Sequence, residues 1–204
     1  MLKKLFHIVF AVLFLFILSG CLKTLFPIFH EEDAVFNTSL VGYWKCSDKG
    51  NSNSFMEFKK ITDDRKQELP AGIRKISDKG YLVTRLNNQE EITSQHFVFL
   101  VKIGKYYYLD YFPTETISQK NINKIYKDHF IKLHSNYRVD FKGNDHFEMK
   151  LFDQGFLDKL ISKNQINIRH EIIGDDNFIT ASTDDLQKFI RQYSDNPEAF
   201  GDDI

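Results

Sequence analysis

Apolar residues recur at every second position through most of this chain. Leu40-Val41-Gly42-Tyr43-Trp44-Lys45-Cys46 and Ser54-Phe55-Met56-Glu57-Phe58 flank a polar cluster, Asp48 to Asn53, and predict strand, turn, strand. Further strands are predicted at Ile73–Ile76, Tyr81–Leu86, His96–Lys102, Tyr106–Phe112, His129–His134, Tyr137–Phe141, Phe147–Leu151, Ile166–Ile172 and Phe178–Thr180. Gly104-Lys105 suits a two-residue hairpin turn with glycine first. Phe97-Val98-Phe99-Leu100-Val101 is apolar on both faces, so this strand is central or covered on its second side.

The period changes to helical in three places. Phe156, Leu157, Leu160 and Ile161 share one face, with Asp153 as N-cap. Leu186, Phe189, Ile190 and Tyr193 form an amphipathic face behind Ser182, suited to packing on a sheet. Residues 117–127 form a third candidate helix. Many short strands joined by tight turns make the fold class mainly β. The expectation is an antiparallel β-barrel or sandwich over residues 40–194, with a C-terminal amphipathic helix, one or two further short helices and a polar tail at 195–204.

The N-terminus has a different character. Lys3 and Lys4 precede an uncharged run from Leu5 to Leu18, and Leu18-Ser19-Gly20-Cys21 follows as a small-residue cleavage site. The run is shorter than the roughly 20 residues a membrane-crossing helix needs. Leu-Ser-Gly-Cys resembles the lipobox of bacterial lipoproteins. That resemblance implies removal of residues 1–20, acylation of Cys21 and attachment to the cell envelope through acyl chains. Leu22, in place of the aspartate that marks inner-membrane retention in that family, implies the outer membrane, facing the periplasm, in a host with two membranes. Residues 21–39, with Pro27, read as the lipidated cysteine and a tether.

A net charge of −1 gives no support to a nucleic-acid partner. With Cys21 acylated, Cys46 is left alone, which rules out an internal disulfide and suits a small buried hydrophobe better than a nucleophile. His129 and His134 stand five apart, off the same-face spacing of strand or helix, so no metal site is expected. Asp63-Asp64, Asp175-Asp176 and Asp184-Asp185 fall in loops, turns or a helix start, where aspartate is favoured for local reasons. Phosphate-loop, dinucleotide and nucleophile-elbow patterns are missing from the sequence, and neither catalytic residues nor a cofactor is assigned.

Gly42-x-Trp44 after Leu40-Val41 resembles the opening of lipocalins and related calycin barrels. The resemblance implies that Gly42 turns the chain into a barrel and that Trp44 closes its base against a late arginine, Arg169, with Arg138 second. It also implies a small apolar or amphipathic ligand inside. Phe97, Phe99, Tyr106 and Tyr108 are then the candidate ligand wall. The expected function is a non-enzymatic, lipid-anchored envelope protein that binds such a ligand. The alternative is a structural or interaction module contacting another envelope protein, with an enzyme a distant third.

Overall fold

A computed structural model describes residues 22–47, 53–114, 131–143, 145–173 and 176–203. Cys21 and the candidate helix at 117–127 lie outside them. The described residues form one large, mostly antiparallel sheet of twelve strands and three helices. The strands are β1 Lys23–Thr24, β2 Ala34–Val35, β3 Gly42–Ser47, β4 Asn53–Lys60, β5 Gly80–Leu86, β6 Ile92–Ile103, β7 Tyr106–Pro113, β8 His134–Phe141, β9 Phe147–Phe152, β10 His170–Ile173, β11 Asp176–Ile179 and β12 Phe200–Asp203. The helices are α1 Ala71–Arg74, α2 Gln154–Ser162 and α3 Thr183–Tyr193.

The main order is β10-β11-β1-β8-β7-β6-β5-β4-β3. Two long strands each serve two shorter neighbours on one side. β6 pairs β5 as far as Phe99 and then β2 at Leu100 and Val101. β8 pairs β1 at His134 and Ser135 and β9 from Tyr137 onward. β12 continues the sheet beyond β9. β1 and β11 run parallel, and the other pairings are antiparallel.

The sheet curls until β3 comes against β9. The Trp44 ring on β3 stands edge-on to Phe147 on β9, 4.5 Å between centroids, yet no ladder joins these strands among the described residues. The curl therefore closes by side chains along a seam and is not a hydrogen-bonded barrel. Its concave face holds Leu40, Cys46, Met56, Phe58, Tyr81, Val83, Val98, Leu100, Leu109, Tyr111, Val139 and Met149. The convex face carries the larger core, beneath α1, α2, α3 and the N-terminal segment.

That N-terminal segment corrects the tether expectation. Leu22, Ile28, Phe29 and Ala34 are buried in the convex core. The Ile28 N–H donates to Asp110 Oδ2 at 2.9 Å, and the Gln187 side chain of α3 donates to the Ile28 carbonyl. Leu22, Ile28 and Phe29 are spaced too irregularly to mark an element, which is why the stretch reads as loop. The tail differs too: Ala199 is fully buried and Phe200–Asp203 pairs with β9. Ile73 lies in the short helix α1, not a strand, because Pro70 sets the first-turn geometry and the Ile73 and Arg74 N–H groups bond its carbonyl. Of the strand expected over His129–His134, residues 129 and 130 lie outside the described residues, and within them the strand starts at His134; that expected over Ile166–Ile172 starts at His170.

Other local signals match. Gly104 has φ +61° in the β6–β7 turn. Asp153 caps α2 by accepting the Phe156 N–H, and Ser182 caps α3 by accepting that of Asp185. Leu186, Phe189 and Ile190 of α3 are buried against the sheet.

Candidate functional site

Strand parity sorts the side chains of β6 and β7. Phe97, Phe99, Val101, Tyr106 and Tyr108 belong to the convex core, whereas Val98, Leu100, Tyr107, Leu109 and Tyr111 face the concave side. The four aromatic residues expected to line a ligand wall are therefore on the other face. Phe99 packs against Phe29 with the rings tilted, and Tyr106 donates to Asp195 at 2.6 Å. Phe97, Phe99 and Tyr108 are buried in that core. A run apolar on both faces does not tell from sequence which face holds a cavity.

The concave face holds the candidate site. At one end, Met56, Val83 and Met149 surround a cavity of about 90 Å³ together with Arg85, His96, Tyr111, Ser135 and Tyr137. Each strand contributes through the same alternation: Tyr81, Val83 and Arg85 on β5, and His96, Val98 and Leu100 on β6. Tyr111 packs edge-on to His96 and to Tyr137, at 5.7 and 5.1 Å between centroids. Its hydroxyl is buried without a hydrogen-bond partner among the described residues, although Tyr111 is only 8% exposed. Leaving such a group unpaired costs about 1–3 kcal/mol. Burial pushes the Tyr111 phenol far above its ordinary range, so it is a donor at any physiological pH.

Arg85 adds the charge. Arg85 is half-buried in the pocket wall, and among the described residues its guanidinium makes no ion pair and donates no hydrogen bond. Burial first, and then the Arg85 charge, lowers the His96 pKa below 6.5, so the imidazole is neutral at pH 7. The site thus combines an unneutralised cation, an orphaned hydroxyl donor and an apolar floor. Met56 and Met149 also line a second cavity of about 560 Å³ along the seam, with Trp44, Cys46, His146 and Phe147. Two flexible thioethers separate the inner pocket from this wider groove.

The remaining sequence candidates are dispersed. Gly42 opens β3 with φ +140°, a conformation that L-residues rarely adopt. Trp44 donates to the Leu40 carbonyl at 2.8 Å. Arg169 does not reach Trp44: it is exposed beside β10, at the opposite end of the strand order from β3. Arg138 is on the convex face, over the rings of Tyr106 and Phe200. Cys46 is buried and free. His134 pairs with buried Asp110 at 2.5 Å, holding β8 to β7 beside the N-terminal segment. His129 lies outside the described residues. Among the described residues, no three His, Cys, Asp or Glu side chains gather as a metal site.

Arg85, His96 and Tyr111 escape a motif search because each belongs to a different strand or register. The available signal is a polar residue at the inward parity of an otherwise apolar strand, which requires knowing which parity faces inward. Comparison with protein-family models, curated proteins and solved structures finds no match for this chain.

Proposed function

We propose that the protein is a lipid-anchored, non-enzymatic component of the cell envelope that binds a small amphipathic ligand on the concave face of its curled sheet. The observation that carries this reading is the Tyr111 hydroxyl, buried without a partner among the described residues, in the wall of an apolar-floored pocket that also holds Arg85. A ligand with an acceptor or anionic head satisfies both, and its apolar part lies along Met56, Met149 and the seam groove. Acylation at Cys21 supplies the membrane attachment, and two or three acyl chains hold firmly where one is reversible. No cofactor enters this reading.

Native mass spectrometry tests the ligand. The chain from Leu22 onward, exported to a periplasm, is compared with its denatured mass. A reproducible extra mass, lost on denaturation and reduced in Arg85→Gln, supports the reading. A bare chain that takes up nothing from an envelope extract removes it. The rival is then an interaction module for another envelope protein, a reading favoured by the outer edge of β3, which no strand covers among the described residues.

A further inference from the structure

Leu22 follows Cys21 directly and is 0% exposed, with its N–H bonded to the Phe152 carbonyl at 3.2 Å. β1 begins at the next residue. Successive Cα atoms are about 3.8 Å apart, and the headgroup layer of a bilayer is roughly 5–8 Å thick on each side. A body joined to an acylated Cys21 by one peptide bond has no tether on which to stand away from the lipid. One face of it is held at the membrane.

The sheet register identifies that face. β1 and β11 are parallel, with Thr24 beside Ile179. Carried back two residues, Leu22 falls beside Asn177. Gln154, two residues after Phe152, independently donates to the Asn177 carbonyl at 3.3 Å, so Phe152, Leu22 and Asn177 converge. Asn177 in turn pairs with Ile172 on β10. Ile172 therefore lies two strand spacings, about 10 Å, from Leu22. Ile172 is 68% exposed and Ile173 58% exposed. Neighbouring residues on a strand point to opposite faces, so β10 exposes apolar surface on both sides at this point.

We infer that Ile172 and Ile173, on the edge strand beside the anchor, are the membrane-docking face, seated in the bilayer that holds the acyl chains of Cys21. The inference rests on acylation of Cys21. The occupant is lipid because the last covalent link before the folded body ends about 10 Å from the pair. Two isoleucines there add apolar contact to the acyl anchor and fix the orientation of the body. β3, which carries Trp44, stands at the other end of the strand order from β10.

The test uses the full acylated protein in phosphatidylcholine vesicles with brominated acyl chains, which quench nearby tryptophan. Trp44 is the only tryptophan and lies on β3, so wild type supplies the distant reference. Ile172→Trp and Ile173→Trp, each with Trp44 retained, add one emitter at the proposed face. Both sites are exposed, and unchanged circular dichroism checks the fold. The expected result is several-fold stronger quenching of the added emission than of Trp44 in both variants. Added emission quenched no more than Trp44 overturns the docking face. Shielding that tracks protein concentration in sedimentation assigns the pair to a second copy and also overturns it. An intact mass without acyl groups on Cys21 overturns the anchor on which the inference rests, and is read separately from the quenching.

Discussion

Gly42 shows how a single backbone angle shapes this fold. Its φ of +140° turns the chain from the turn at Thr38–Leu40 into β3, and an added Cβ meets no atom within 4 Å. The objection to a side chain there is conformational, not steric. Gly42→Ala is expected to lower stability by about 1–2 kcal/mol in urea unfolding. Gly80 is the opposite case, since a Cβ there would lie 2.5 Å from Ile61 Cδ1 and 2.9 Å from the Phe99 ring. His96 makes a pH prediction. Its folded pKa lies below 6.5, so the unfolded chain binds the proton more readily. Its contribution to stability is whole above pH 6.5 and is lost as pH falls through the folded value. His96→Gln should flatten that acid limb in urea unfolding measured between pH 7.5 and pH 5. An unchanged slope would remove His96 as the cause.

At the scale of elements, the strongest consequence concerns residues 22–39. They supply β1, β2 and four buried apolar side chains, and Asp110 and Gln187 both bond the backbone of Ile28. A chain shortened to begin at Leu40 is expected to lose cooperative thermal unfolding, because its convex core is opened and the upper part of β6 loses a partner. A shortened chain that melts as sharply as the full one would restore the tether reading. Elements with a periodic pattern were legible: β3 to β7, and both capped helices, follow from alternation, from Gly104 and from Asp153 and Ser182. The N-terminal segment was not legible, because its burial comes from contacts with residues some 80 to 160 positions away. The candidate site was illegible for a related reason. Arg85, His96 and Tyr111 acquire meaning only when curling of the sheet makes their parity the inward one.

For the whole molecule, the incomplete closure of the sheet is the central fact. Among the described residues no backbone ladder joins β3 to β9, and the Trp44–Phe147 contact completes the curl with side chains alone. Side-chain closure yields more readily than a ladder, because parting two rings breaks no backbone hydrogen bond. The seam groove and the inner pocket share Met56 and Met149, so a ligand head reaching Arg85 has a route past the single tryptophan. Binding should therefore change Trp44 emission saturably. Arg85→Gln keeps much of the side chain's bulk and removes its charge. Charge-assisted hydrogen bonds contribute about 1.5–3 kcal/mol, so affinity for an anionic amphiphile such as a medium-chain carboxylate should fall about tenfold or more. Tyr111→Phe removes only the orphaned hydroxyl. It should weaken binding while raising the stability of the unliganded chain, since the unpaired buried donor is then gone. Stability lowered together with affinity would mean that the hydroxyl already has a partner in the empty protein, and the pocket would lose its claim to a ligand.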